Sequence, residues 1–361
     1  MRTLRMACVV GARPNFMKIA PLLAEMRRRP RFEAKLIHTG QHSSTEMAGA
    51  FFRDLGIDSP DLSLEISGGS SNNQVARVMQ ALEPVFADLK PDLVLVVGDV
   101  NATAAAALVA AKANIRIGHV EAGLRSGDRT MPEEINRIVT DALSDYLFTT
   151  EASAEANLLR EGIPQNRIFF CGNVMIDTLM RFRDRAAESP ILDQLGVVAG
   201  NYAAVTLHRP ANVDDPQKLG EFLGMLECLG NHLPVLFPVH PRTQKVVEEL
   251  GFRPQRVRLI PPQGYIEFLR ILSCARLVLT DSGGIQEETT ILGIPCLTMR
   301  DNTERPVTIT HGTNRLAGTN PPQILKAAEE VLAATPAAPK RPDLWDGCAA
   351  PRILDTLERV F

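Results

Sequence analysis

The chain lacks most of the features that would tie it to a metal, a membrane or a nucleic acid. Its six cysteines, at 8, 171, 228, 274, 296 and 348, form no Cys-x-x-Cys. Most sit among apolar neighbours, as reduced core residues of a cytoplasmic protein do. The seven histidines show no ligand spacing, so no metal is expected. No apolar run approaches the length of a membrane span, and the N-terminus lacks the apolar stretch and small-residue cleavage site of a secretory signal. A formal net charge of −3 offers no reason to expect nucleic acid. Two phosphate motifs are also missing. No G-x-G-x-x-G follows the first predicted strand, and nothing resembles the lysine-bearing loop of nucleotide hydrolases.

What is present is an alternation of strands and helices. With 45% apolar and 22% charged residues over 361 positions, the chain has the composition and length for two domains, each with its own core. Apolar runs predict strands over 6–10, 34–38, 93–97, 115–120 and 146–149, with helices over 16–29, 72–89 and 103–113. A second series follows at 203–207, 235–239, 257–260, 277–280 and 296–299. The expected fold is α/β: two Rossmann-like doubly wound domains facing each other across a cleft. Residues 1–172 form the first and 173–350 the second, with the boundary at Cys171-Gly172-Asn173-Val174. A C-terminal helix, 351–361, is expected to pack back on the first domain.

The run Leu277-Val278-Leu279-Thr280 breaks at Asp281-Ser282-Gly283-Gly284, and a helix can begin at once. In an open α/β sheet such a corner is where ligands bind. Ser282, Gly283 and Gly284 let backbone N–H groups approach a phosphate at a helix N-terminus. Glu288, one helical turn on, has the reach for two ribose hydroxyls. A glycine turn required only for packing is the plainer reading. Arg13 and Lys18, at the end of the first strand, are placed to neutralise a diphosphate or are simply solvated.

Two apolar strands each end in an acid, Asp99 and Glu121, at the sheet edge where ligands are held. A third, Glu133 or Glu134, follows Pro132, where an acid also suits a helix start. Neighbouring carboxylates separate in pKa, so one serves as base and another as acid. Arg125 and Arg137 are alternative structural partners for them. His208 and His240 each follow a strand, and His208, with Arg209 beside it, is the stronger candidate for donation to a phosphate or proton transfer. Arg305 is a candidate phosphate or sugar ligand, or else an ion-pair partner of Glu304 or Asp301.

Taken in order, Gly11-Ala12-Arg13-Pro14 through Lys18, Thr39-Gly40-Gln41-His42, Gly98-Asp99, His119-Val120-Glu121-Ala122-Gly123-Leu124-Arg125, Pro132-Glu133-Glu134-Ile135-Asn136-Arg137, Leu207-His208-Arg209-Pro210, the 280–288 corner and Thr303-Glu304-Arg305-Pro306 resemble the non-hydrolysing UDP-N-acetylglucosamine 2-epimerases. The resemblance runs from residue 6 to about 333. It implies a glycosyltransferase-B-like fold, a cytosolic homodimer, no cofactor, and interconversion of UDP-GlcNAc and UDP-ManNAc through 2-acetamidoglucal. It sets Asp99, Glu121, Glu133 and His208 on catalytic positions. Arg13, Lys18, Gln263, Phe268, Ser282, Gly283, Gly284, Glu288 and Arg305 fall on nucleotide-sugar positions. Gln41 and His42 fall on an allosteric UDP-GlcNAc site of some bacterial members, although Ser43-Ser44-Thr45-Glu46 departs from that pattern. The short segment 126–131 resembles a subgroup whose substrates carry other sugar substituents. The alternatives are therefore an epimerase of a related UDP-2-acetamido sugar, a hydrolysing epimerase releasing free ManNAc, a glycosyltransferase of the same fold, and a UDP-sugar-binding regulator.

Overall fold

The computed structural model of the chain describes residues 2–40, 52, 54–335 and 340–361, without the side chains of Arg13, Pro210, Ala211 and Arg242. The chain divides into two compact units, Met1–Arg181 with Asp343–Phe361, and Phe182–Pro342.

Unit 1 holds seven parallel strands: β1 (Leu4–Val10), β2 (Phe32–His38), β3 (Leu62–Ser63), β4 (Leu93–Val97), β5 (Arg116–Ala122), β6 (Tyr146–Thr149) and β7 (Ile168–Phe170), in the order β3-β2-β1-β4-β5-β6-β7. The central strand β4, Leu-Val-Leu-Val-Val, is wholly buried, because helices cover both faces and neither needs a polar residue. On one face the helix Ser71–Leu89 lays down Val78, Leu82 and Phe86, a stripe of period four. Beside it the helix Asn101–Lys112 buries Ala105, Ala106, Ala107 and Ala110 in the same core cluster, and their small side chains permit close approach.

Unit 2 holds six parallel strands: β8 (Ala203–Thr206), β9 (Val235–Pro238), β10 (Val257–Ile260), β11 (Leu277–Thr280), β12 (Cys296–Thr298) and β13 (Asn314–Leu316), in the order β10-β9-β8-β11-β12-β13. The helix Pro216–Leu229 buries Leu219, Phe222, Leu223, Leu226 and Leu229 against one face, with Val205, Val235 and Phe237 in the same core. Both sheets reverse strand order beside their first strand, and each unit is a Rossmann-like doubly wound domain. The edge strands β3 and β13, of two and three residues, have no apolar run long enough to mark them in the sequence.

Residue 172 falls within unit 1, for a reason visible in the helix Val174–Ala187. Thr178 Oγ1 donates to the Met17 carbonyl at 2.5 Å. Asp177 accepts the Ala349 and Ala350 N–H groups at 3.0 and 2.7 Å, capping the C-terminal helix Ala349–Val360 from a neighbouring element. That helix also meets the helix Arg13–Met26 and the residues just after it: Arg29 pairs with Asp355 at 2.6 Å, and Arg31 donates to the Glu358 carbonyl at 2.7 Å. No helix among the described residues is long and apolar enough to cross a membrane.

Candidate active site

In unit 1 the site residues gather where the central strands β1, β4 and β5 end. Past β1, the Asn15 side chain accepts from the Gly11 and Ala12 N–H groups, both at 3.0 Å, and donates to the Val97 carbonyl at 2.9 Å. This ties the first turn to the end of β4. One turn on, Lys18 is buried and forms an ion pair with Glu121, so it is not a solvated surface lysine. Glu121 occupies a left-handed backbone conformation, φ +73°, at a register shift between Val120 and Ala122. A non-glycine residue held there costs about 1–3 kcal/mol, and the distortion turns its carboxylate toward Lys18. Gly98 is left-handed as well. A Cβ there would stand 2.9 Å from Lys18 Nζ and 3.3 Å from Glu121 Oε2, so a side chain at this left-handed position would have to push the ion pair aside.

Asp99 follows, half-buried, and pairs with Arg137 of the helix Pro132–Leu143. Arg137 also holds Glu134 at 2.6 Å, and Glu134 accepts the Ser126 and Gly127 N–H groups at 3.0 and 2.9 Å. Burial alone would raise Glu134, but those N–H groups and Arg137 outweigh it and hold the carboxyl below its ordinary value. Of the two acids open at this helix start, Glu134 is the buried, networked one. Glu133 is exposed and makes no hydrogen bond or ion pair among the described residues. Arg125 pairs with Asp141 at 2.7 Å and with Glu161 at 2.6 Å. Gln41 and His42 lie outside the described residues, as does the Arg13 side chain.

In unit 2 the corner after β11 is built around Asp281, which is wholly buried. It accepts the backbone N–H groups of His208 and Arg209, the nearer of each at 3.1 and 3.0 Å, and Asn212 Nδ2 at 3.0 Å. His208 Nδ1 stands 2.8 Å from its carboxylate. Burial works to raise Asp281, yet the His208 imidazole and these donors bring it down to about 2. His208 is thus oriented from behind while most of its ring is exposed.

Ser282 stands at the N-cap position of the helix Gly283–Leu292 without a side-chain capping bond, and a Cβ on Gly283 would collide with Arg305 and Glu304. Gly284 is half-buried in the first turn. Arg305 is buried, paired with Glu287 at 2.7 Å and with Glu304, the partner foreseen as its plainer role. Glu288 is buried too, and Tyr265 donates its hydroxyl to Glu288 Oε1 at 2.9 Å. Burial, with the Glu287 charge adding to it, pushes Glu288 up to about 7. Gln263 is half-buried and donates to the Pro261 carbonyl at 2.7 Å, and Phe268 packs against the core containing Val278 and Ile285. His240 is exposed just past β9.

Four supporting groups were not singled out in the sequence: His119, Asp141, Tyr265 and Asp281. Asp281 carried a usable signal, since it follows an apolar strand in the same way as Asp99. His119 lies two residues before Glu121 in the same strand, just ahead of the register shift. Asp141 and Tyr265 sit on helices, and only the tertiary packing brings them in.

The family profile described as UDP-N-acetylglucosamine 2-epimerase matches residues 24–358. The chain is 39% identical over 339 residues to a UDP-N-acetylglucosamine 2-epimerase of Methanocaldococcus jannaschii, covering 91% of this chain and 92% of that one. It is 41% identical over 336 residues to the UDP-2,3-diacetamido-2,3-dideoxy-D-glucuronate 2-epimerase of Pseudomonas aeruginosa, covering 92% and 93%. The solved structure of the Methanocaldococcus jannaschii UDP-GlcNAc 2-epimerase in complex with UDP-GlcNAc and UDP superimposes with a TM-score of 0.91, at 37% identity, over 99% of this chain and 100% of that one. The likeness thus extends through both Rossmann-like units, from the acid-bearing strand ends to the Ser-Gly-Gly corner, and the chain belongs to the UDP-N-acetylglucosamine 2-epimerase family.

Proposed function

We propose that the protein reversibly epimerises UDP-N-acetylglucosamine to UDP-N-acetylmannosamine by eliminating and re-adding UDP. The observation that carries this reading is the pair of adjacent strand ends in unit 1, β4 and β5, each delivering a carboxylate with a cation against it. Inversion at C2 needs a proton removed from one face and returned to the other. C2–H lies beside no carbonyl, so direct removal would leave an unstabilised carbanion. If the C1–O bond breaks first, its electron pair leaves with UDP, and positive character at C1 acidifies C2–H. A carboxylate then takes the proton and the C1–C2 double bond of 2-acetamidoglucal forms. Delivery of a proton to the opposite face of C2, with the UDP oxygen returning to C1, completes the epimer.

Asp99, Glu121 and Glu133 are the proposed proton-transfer groups. The exposure of Glu133 suits an acid that refreshes its proton from solvent. His208, fixed by Asp281, faces the departing diphosphate. Ser282, Gly283 and Gly284 offer the phosphate cradle, Glu288 the ribose acceptor, and Gln263 and Phe268 the base contacts. Arg13 and Arg305 are the proposed diphosphate cations, while Lys18 is set against Glu121 and fixes that carboxylate. Gln41 and His42 stay candidates for an allosteric site. A cytoplasmic homodimer acting on a free UDP-sugar, with no nucleic-acid or membrane partner, completes the reading.

Turnover in D₂O tests it. UDP-GlcNAc should yield UDP-ManNAc carrying deuterium at C2, with traces of 2-acetamidoglucal and UDP on long incubation. Full retention of C2 hydrogen with no glucal would sink the elimination route, and free ManNAc would point to a hydrolysing enzyme. A second reading rests on the relative from Pseudomonas aeruginosa: the same chemistry on a UDP-2,3-diacetamido uronic acid. Comparing kcat/KM on the two sugars decides between them.

A further inference from the structure

His119 is wholly buried, and nothing in the proposed reaction uses it. Its Nδ1 stands 2.7 Å from Asp141 Oδ1 and its Nε2 stands 2.9 Å from the Gly98 carbonyl oxygen. A carbonyl can only accept, so Nε2 must carry a proton. A carboxylate also can only accept, and then Nδ1 must carry one as well. The one other arrangement puts the proton on Asp141, with Nδ1 accepting it. The surroundings of Asp141 oppose that. Its second oxygen already accepts from Arg125 Nη1 at 2.7 Å and from the Gly123 N–H at 3.0 Å. Burial works to raise Asp141, while the Arg125 guanidinium against that second oxygen works to keep it ionised.

We infer that His119 is a fixed imidazolium, donating from both ring nitrogens, and that it is the positioning residue for both acids of unit 1. The geometry gives it that reach. Gly98 immediately precedes Asp99, and β5 claims both of its backbone polar groups: its N–H donates to the Val120 carbonyl at 3.0 Å and its oxygen accepts from His119. Glu121 lies two residues along the same strand, in its left-handed kink. One buried cation therefore joins the turn that carries Asp99 to the strand that carries Glu121. Asp141 anchors the cation from the helix Pro132–Leu143, the same helix that supplies Arg137 to Asp99. Without the Nε2–H donor, the Gly98–Asp99 peptide loses the bond that sets its orientation.

The inference rests on the proposed epimerisation for its kinetic consequence, but the state of the ring can be read independently. Ring-nitrogen NMR of ¹⁵N-histidine-labelled protein, with the His119 signals assigned by their loss in His119→Gln, should show both nitrogens protonated. A pyridine-type nitrogen at His119 would overturn the imidazolium. In Asp141→Asn, which removes the counter-ion and keeps the size, the ring should revert to a neutral tautomer.

Kinetically, His119→Gln and His119→Phe should lower kcat by about 10²-fold, the scale of a displacement near 1 Å. KM for UDP-GlcNAc and Kd for UDP should stay within about twofold, since the UDP grip proposed in unit 2 is intact. A role confined to folding predicts instead a lower unfolding midpoint with normal kcat per folded molecule, and that result would overturn the positioning role. Should His119→Phe fail to fold, His119→Ala gives the same kcat-against-KM reading, since it too removes the Nε2–H donor. If the wild type turns over neither UDP-GlcNAc nor the diacetamido sugar, the proposed function fails. The positioning role then falls with it, while the fixed imidazolium is still judged by its ring nitrogens.

Discussion

The two units treat their carboxylates in opposite ways. In unit 1 the two acids at the strand ends and two on the helix Pro132–Leu143 each have a cation set against them: Lys18 on Glu121, Arg137 on Asp99 and Glu134, Arg125 on Asp141. In unit 2 the helix after β11 buries two successive acids. Glu287 has Arg305, whereas Glu288 has, among the described residues, only the Tyr265 hydroxyl and rises to about 7. A charge that meets a fixed cation is oriented and already compensated, which suits a group that must stand at one place beside C2–H. A buried carboxylate with a neutral partner is held at a cost, and a ligand bringing two hydroxyl donors would relieve that cost. The acids proposed for proton transfer are compensated as built, whereas the proposed ribose acceptor is left for a ligand to complete.

The largest effect should come from removing charge on the unit 1 side. Asp99→Asn and Glu121→Gln should lower turnover by about 10²–10⁴-fold while Kd for UDP changes little. Steady-state rates set beside calorimetric UDP affinities check this, and a matching loss of UDP affinity would erase the division between the units. Glu133→Gln belongs to the same series. An exposed proton donor predicts a comparable drop in rate with stability changed by only about 0.3–1 kcal/mol. A normal rate would leave Glu133 as a helix-start residue.

Next in size is Lys18→Met, which removes the cation from a buried pair and should cost about 3–5 kcal/mol of stability by urea unfolding. Adding Glu121→Gln should restore more than half of that loss, because the unmatched charge goes too. An additive double variant would show that the pair is not coupled.

The parts of this comparison that the sequence disclosed are those carried by strand pattern. Asp99, Glu121, His208 and the 280–288 corner each lie at the end of an apolar run, and within each unit the parallel sheet brings such ends to one edge of its own. The pairings were less legible. Lys18 reads as a diphosphate cation or a solvated lysine, and nothing in a helix start tells that a glutamate 103 residues on stands against it. The choice between Glu133 and Glu134 depends on which side of the helix faces loop 126–127, and two adjacent acids cannot reveal that. Arg305 was read both ways, and the structure places it on Glu287 as well as Glu304. Tyr265 and Asp141 reach the site from helices whose apolar pattern fixes their burial but not their polar partners.

Glu288→Gln should separate stability from binding within unit 2. The Glu288 carboxyl rises from its ordinary 4.5 to about 7 in the fold. Below about pH 4.5 it is protonated whether folded or unfolded and costs nothing. As pH climbs toward 7 the unfolded chain ionises first, so stability declines, and above 7 the loss is complete. At about 1.4 kcal/mol per pH unit the loss is on the order of 3 kcal/mol. The variant should therefore be the more stable protein at pH 8 and nearly level with wild type at pH 4. UDP should bind it more weakly by about 1.5–3 kcal/mol, since an acceptor for the ribose hydroxyls is gone. Equal urea midpoints at pH 8 would remove Glu288 from its role as the uncompensated acid.

The smallest effect tests whether the contrast belongs to whole units or to single partners, because Asp281 stands on the same strand–helix corner as Glu288. It is as deeply buried, yet donors on every side bring it down from 3.8 to about 2. Its contribution has the opposite sign: present in full above about pH 3.8, and lost as pH falls through 2 because the folded protein must then take up a proton. The loss is on the order of 2 kcal/mol. Acid unfolding of the wild type should show it, and Asp281→Asn should flatten that window at a lower overall stability, since an amide cannot serve all four donors. His208→Gln should narrow the window by removing one donor while the backbone N–H groups remain. With Glu288 failing upward from 4.5 and Asp281 failing downward from 3.8, the combined contribution of the two acids peaks near pH 4. A wild-type profile that is flat below pH 4 would mean the His208–Asp281 contact is too weak to hold the carboxylate. The proposed orientation of His208 toward the diphosphate would then need another cause.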